Sequence, residues 1–190
     1  CSRVGLDTGK AFVLYMGSSL NIARDESWLP IKLAESFRDS RDERLRQTVV
    51  LVRPHGAKHA DIYESVSATN LKVWFPDRPL PDNPEDFADF AASIKHSVGV
   101  VGLNTSGMVD ALLADCPVIA LLVKEYENTN AARAVHFRYL LDSDVYARAE
   151  TTERCAEFIS GLMDGRDPNA EKRHRFAAEW VWPRGLHRPA

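Results

Sequence analysis

Three short stretches combine residue types and spacings suited to holding a small anion. The first is Asn104-Thr105-Ser106-Gly107. Asn, Thr and Ser each cap helices through a side-chain oxygen, and Gly107 lets a ligand come close to the backbone. A helix beginning there presents N–H groups that lack intrahelical partners, at the positive end of its dipole. That is a seat for a phosphate. Asp110 follows Ser106 by four residues, one turn on and about 6 Å along the axis. A carboxylate there would repel a phosphate placed on it, but could accept hydrogen bonds from sugar hydroxyls beside that phosphate. The diphosphate and ribose of a nucleotide require this pairing. The same residues also fit an ordinary N-cap followed by a favourable first-turn acid.

The second stretch is Arg53-Pro54-His55-Gly56. A guanidinium binds phosphate through two parallel hydrogen bonds, and a neighbouring His can donate another. Pro54 and Gly56 turn the chain off the preceding strand, so both side chains could face a crevice. The alternative is that Arg53 pairs with a surface acid and His55 caps something locally. The third stretch, Gly17-Ser18-Ser19-Leu20-Asn21, brings small hydroxyls into a tight turn. It could touch a ligand, or Asp25 could simply cap the helix that follows.

Sharper signatures are absent: there is no G-x-G-x-x-G, no Walker A sequence and no G-x-S-x-G elbow. His55 and His59 have zinc-like spacing, but Pro54 and Gly56 argue against the helix that such spacing needs, so no metal is expected. His136 reads as a hydrogen-bonded packing residue. Phe176, Trp180 and Trp182 read as packing, and the two tryptophans could alternatively cover a second domain. The charged run over residues 38–46 reads as a solvated helical surface.

The elements that must position these stretches alternate along the chain. Apolar runs at residues 11–16, 48–52, 71–75, 98–103 and 117–123 read as buried parallel strands, with a short sixth at 145–147. Trp28, Ile31, Leu33, Ala34 and Phe37 recur at helical spacing, with Pro30 tolerated in the first turn. Further helices are expected after Asn83-Pro84, over 108–114, over 131–141, over 151–163 and from Asp167-Pro168. Residues 76–84 are proline-rich loop. A βαβ alternation with apolar strands predicts a parallel sheet covered on both faces. Ligands bind such sheets at the carboxyl ends of the strands, where all three stretches fall.

Composition bounds the rest. The chain has 190 residues, 45% hydrophobic and 27% charged, enough for one packed domain. With 24 basic against 27 acidic residues the net charge is −3, which excludes nucleic-acid binding through bulk positive charge. No apolar run is long enough to span a membrane. The sequence opens on Cys1, without an apolar signal segment, and reads as starting inside a longer gene product. Cys1, Cys116 and Cys155 are odd in number and widely spaced, which points to a reducing, cytoplasmic location.

Taken together, Val52-Arg53-Pro54-His55 and Gly102-Leu103-Asn104-Thr105-Ser106-Gly107-Met108-Val109-Asp110, followed by a helix and the strand at Pro117-Val118-Ile119, resemble the carboxyl-terminal nucleotide-binding half of GT-B glycosyltransferases. Within that group the likeness is to CDP-glycerol glycerophosphotransferases and the non-hydrolysing UDP-N-acetylglucosamine 2-epimerases. The ending, Phe176-Ala177-Ala178-Glu179-Trp180-Val181-Trp182-Pro183-Arg184-Gly185-Leu186, is similar to the terminal helix of such transferases.

The resemblance implies a Rossmann-like three-layer sandwich over residues 11–182, with a leader or linker at 1–10 and a tail at 183–190. It implies a nucleotide-diphosphate-linked sugar or polyol as donor substrate, with no separate cofactor and no metal. Ser106 and Gly107 would contact phosphate and Asp110 the ribose. Arg53 and His55 would lie near the pyrophosphate, with Ser18, Ser19, Asn104 and Thr105 lining the site. The catalytic base and acceptor site would belong to an amino-terminal domain outside this chain, and the full-length protein would be cytoplasmic or membrane-peripheral. A sugar-nucleotide epimerase half and a non-catalytic nucleotide-binding or interaction domain remain alternatives, so whether the chain is part of an enzyme stays open.

Overall fold

Six strands build the core of the computed structural model, which describes residues 6–7, 9–56, 61–74 and 83–181. They are β1 (Phe12–Met16), β2 (Val49–Arg53), β3 (Leu71–Val73), β4 (Val100–Gly102), β5 (Val118–Leu121) and β6 (Ala147–Ala149). Between them run α1 (Trp28–Arg38), α2 (Glu43–Gln47), α3 (Pro84–Lys95), α4 (Ser106–Leu113), α5 (Asn130–Arg133), α6 (Val135–Asp142), α7 (Thr152–Met163) and α8 (Ala170–Phe176). Cys1, His59, Phe75, most of the proline-rich loop, Trp182 and the tail lie outside the described residues.

All strand pairs are parallel, in the order β3-β2-β1-β4-β5-β6. The chain steps outward from β1 to β3, then returns to β4 on the other side of β1. This doubly wound, Rossmann-like order puts a topological switch point between β1 and β4. Their ends are level with that of β2: Met16 pairs with Arg53 on one side and with Gly102 on the other.

Strand alternation splits the apolar residues into two layers. Val13, Tyr15, Val50 and Val52 face α1 and α7, through Leu29, Leu33, Phe37 and Ile159. Phe12, Leu14, Met16 and Leu51 face α3, α4 and α6, through Ile94, Met108, Leu112 and Phe137. The sheet is thus covered on both faces, as its continuous apolar strands require. The edge strands β3 and β6 are only partly buried.

Helix starts follow their caps. Asn83 accepts from Asp86 N–H at 2.8 Å and opens α3 at Pro84, and Thr151 accepts from Arg154 N–H at 3.1 Å and opens α7. The end of α4 is a Schellman turn, with Asp115 N–H bonded to Leu112 O and Cys116 N–H to Ala111 O, at 3.1 and 2.9 Å.

Several expectations need correction. The helix expected over 131–141 is two, because Ala134 is extended (φ −62°, ψ 125°). Ala131 packs in the layer of α1, whereas Phe137 and Leu141 pack in the layer of α4, so one straight helix could not serve both. The sixth strand starts at Ala147, since Val145 and Tyr146 are spent in the second core layer. The last helix begins at Ala170 and runs into a π turn, Ala177–Val181. His136 is exposed, and Trp180 is 60% exposed with only its edge against Tyr139. Asp25 accepts from Ser27 N–H and Oγ ahead of α1, at 3.0 and 2.7 Å, so it caps a turn and not the helix itself.

Candidate functional site

The carboxyl ends of β2, β1 and β4 are adjacent, so the three stretches singled out from sequence converge on one crest. Gly17 N–H donates to Arg53 O at 2.9 Å, which ties the exit of β1 to that of β2. A Cβ at Gly17 would stand 3.0 Å from the Tyr63 hydroxyl and 3.2 Å from His55 N, so any larger residue would push these chains apart by a few tenths of an ångström. On the other side, a Cβ at Gly107 would lie 2.5 Å from Met16 Sδ and 3.8 Å from Phe90 Cζ. Gly107 thus permits the close seating of α4 on β1.

α4 opens with Thr105 in extended backbone (φ −143°, ψ 149°), but the Thr105 hydroxyl makes no capping hydrogen bond and no acid stands in the first turn. Ser106 is exposed and Thr105 and Gly107 are half-buried, so the leading N–H groups are accessible. Asn104 is buried and its amide donates to Asn130 O at 3.3 Å; Asn130 in turn donates to Asn21 O at 3.3 Å. Asn104 therefore stitches the loops after β1 and β4 together across the switch point and has its amide committed there.

Arg53 does not point into bulk water. It is 9% exposed, with its guanidinium carbon 4.3 Å from the Trp74 ring centre and 4.5 Å from that of Phe90. Such stacking stabilises a desolvated cation. Among the described residues its Nη1 is buried without a hydrogen-bond partner. Burial lowers the Arg53 pKa to about 10, opposed by Asp86 and Asp89 on α3, so it stays charged at neutral pH. The Phe90 ring stacks on the Arg53 cation, and a Cβ added at Gly107 near the start of α4 would lie 3.8 Å from its Cζ. His55 is half-buried beside Gly17.

Asp110 is exposed one turn down α4, and among the described residues its carboxyl makes no hydrogen bond or ion pair. Partial desolvation raises its pKa. Ser18 is buried and Ser19 half-buried, and Ser19 O accepts from Ile22 and Ala23 N–H at 2.8 and 3.1 Å, which shapes the loop.

The sequence did not reveal Glu26, Tyr15 and Tyr63, which are 1%, 0% and 1% exposed under the same crest. Glu26 accepts from the Tyr15 hydroxyl at 3.0 Å and from Ser18 N–H. A tyrosine in mid-strand was a signal that a buried polar partner must exist; nothing local named Glu26 as that partner. Nor did it announce Trp74 and Phe90 as the walls around Arg53.

A groove of about 940 Å³ lies elsewhere, between α1 and α7. Its acids, including Glu35, Asp39, Asp42, Glu150 and Glu153, outnumber Lys32, Arg41 and Lys124, a field that disfavours an anion.

No protein-family model matches the chain, and no curated protein sequence matches it. Solved structures do. The wall teichoic acid polymerase TagF, soaked with CDPG, aligns with a TM-score of 0.63 at 14% identity, over 93% of this chain and 39% of that one. The C-terminal CMP-Kdo binding domain of WaaA from Acinetobacter baumannii aligns at 0.54 and 11% identity, over 88% and 89% of the two chains. UDP-GlcNAc 2-epimerase from Neisseria meningitidis bound to UDP-GlcNAc aligns at 0.50 and 11%, over 86% and 38%. These likenesses establish a shared doubly wound fold. The chain spans most of the WaaA domain and about two fifths of the TagF and epimerase chains.

Proposed function

We propose that the crest at β2, β1 and β4 binds the diphosphate of a nucleotide-activated donor, as the donor-binding part of a glycosyltransferase-like enzyme that transfers a glycosyl or glycerophosphoryl group. The observation that carries this is a pair: an α4 N-terminus without a side-chain cap or a first-turn acid, and a buried Arg53 cation whose Nη1 has no hydrogen-bond partner among the described residues. Each supplies positive potential and donors at the same edge of the sheet. The neighbours support the reading, since their structures concern CMP-Kdo, CDPG and UDP-GlcNAc on the same fold.

In this reading the N–H groups of Ser106 and Gly107, the Arg53 guanidinium and His55 stabilise charge building on the leaving diphosphate. Ser18, Ser19 and the Thr105 hydroxyl complete the donor set, and Asn104 holds the two loops in register. Asp110 takes the ribose hydroxyls. The donor is itself the substrate and no cofactor or metal is invoked. The catalytic base and acceptor site belong to a second domain, and the two free, buried thiols Cys116 and Cys155 fit a reducing, cytoplasmic setting.

Calorimetry with UDP, CDP and GDP tests the site. Arg53→Ala should weaken the best of these roughly 10- to 100-fold, the worth of a charge-assisted hydrogen bond, while nucleoside binding barely changes. Equal loss for both contradicts the role of Arg53. Asp110→Asn should weaken ribonucleotide binding and leave inorganic pyrophosphate unaffected. An interaction module would bind none of the three nucleotides. The epimerase reading shares this donor site, and products from a labelled UDP-sugar separate it from transfer.

A further inference from the structure

Glu26 reaches the exit of β1 from the loop before α1, and every group facing it can donate a hydrogen. Tyr15 Oη and Ser18 N–H already do. The Ser18 and Tyr63 hydroxyls face the same carboxyl closely enough to favour its ionised form, yet among the described residues neither has a hydrogen-bond partner within 3.5 Å, and both are buried. The other titratable groups around this cluster are Tyr126 and Asp25, joined by a hydrogen bond from Tyr126 Oη to Asp25 O, with Glu125 beyond Tyr126 and His55 on the far side of Gly17. No Lys or Arg is among them.

We propose that Glu26 is a positioning residue for the crest: its carboxyl holds the Gly17-Ser18-Ser19 loop, and its protonation decides whether the buried Ser18 hydroxyl is held inward or released to turn toward an anion above. An ionised carboxylate can accept all four donors, Tyr15 Oη, Ser18 N–H, Ser18 Oγ and Tyr63 Oη. A neutral acid has given up part of that capacity and releases the two hydroxyls. Ionisation also places a negative charge under the proposed diphosphate. Both effects act in one direction: protonation favours the anion, and the anion favours protonation. Burial of the carboxyl lifts its pKa to about 7, which puts the change near neutrality.

The ligand half of this inference rests on the diphosphate reading above; the loop half does not. The ligand-free test is the Ser18 amide resonance followed from pH 5 to 9. It should titrate once, near neutrality, in the wild type. It should be flat in Glu26→Gln and have a moved midpoint in Glu26→Asp. A wild-type Ser18 amide that does not titrate overturns the proposal, and this needs no variant to fold.

The second test is the UDP dissociation constant at pH 6 and pH 8. It should rise several-fold more in wild type than in Glu26→Gln, the titration of UDP itself being common to both. His55 is the other ionisable side chain beside this loop, so His55→Gln is measured alongside. A slope that survives Glu26→Gln and vanishes in His55→Gln overturns the ligand half. A titrating Ser18 amide with no UDP binding at any pH upholds the loop coupling and removes the diphosphate reading instead.

Discussion

Arg53 and Glu26 are the two buried charges that matter at the crest, and burial acts on them in opposite senses. Desolvation disfavours the charged form of each. Arg53 keeps its proton because its pKa falls only to about 10, with two aromatic rings partly replacing water. Glu26 holds its proton up to about pH 7, because phenols and one amide do not offset the lost hydration. The consequence for stability has a definite sign. Its ordinary pKa is 4.5 and the native value about 7, so the folded chain binds the proton more tightly. The stabilisation is complete below pH 4.5 and is lost as pH rises through 7. Over that window it amounts to about 3 kcal/mol. Urea unfolding at pH 5 and pH 8 should therefore show a larger fall in stability for wild type than for Glu26→Gln, by about that amount. Equal pH dependence in the two proteins would place the proton elsewhere.

Among the elements, the α4 Schellman turn links the crest to the far end of the sheet. Asp115 sits in the left-handed region, φ 57°, where glycine is usual. Its side chain explains why it is not glycine. Arg173 of α8, only 3% exposed, bonds Asp115 Oδ1 at 2.8 Å and Asp167 Oδ2 at 2.9 Å, and His174 reaches Asp115 Oδ2 at 2.7 Å. Two effects compete in Asp115→Gly. Relief of backbone strain would stabilise by about 1 kcal/mol. Leaving a buried guanidinium with one carboxylate costs more, about 2 kcal/mol or above. The net change should be destabilising, with early loss of α8 protection in hydrogen exchange; a stabilised variant would mean the clamp contributes nothing. Neither the clamp nor the break at Ala134 was legible in the sequence. Alanine is the best helix former, and the break comes from the two core layers claiming Ala131 and Phe137.

At the scale of the whole molecule, one sheet separates two cores. Leu29 and Leu112, 0% and 1% exposed, lie in different layers. Truncating either to alanine should cost about 2 to 4 kcal/mol. The double variant should lose the sum to within about 0.5 kcal/mol, since the two share no partner. Unfolding should remain a single transition, because both layers hang on the same strands. A strongly non-additive cycle would mean that strain crosses the sheet.

The strand–helix alternation, the parallel sheet and the placement of Ser18, Arg53, His55 and Ser106 at its carboxyl end were legible in the sequence. Strand and helix periodicity, caps and prolines act over a few residues, and parallel strands then put the loops that follow them at one edge. What the tertiary structure alone decided is the environment of each charged group there: rings from β3's exit and α3 around Arg53, and tyrosines from β1 and the turn after β2 around Glu26. Those contacts join residues far apart in sequence, and desolvation exists only once they have closed over the charge.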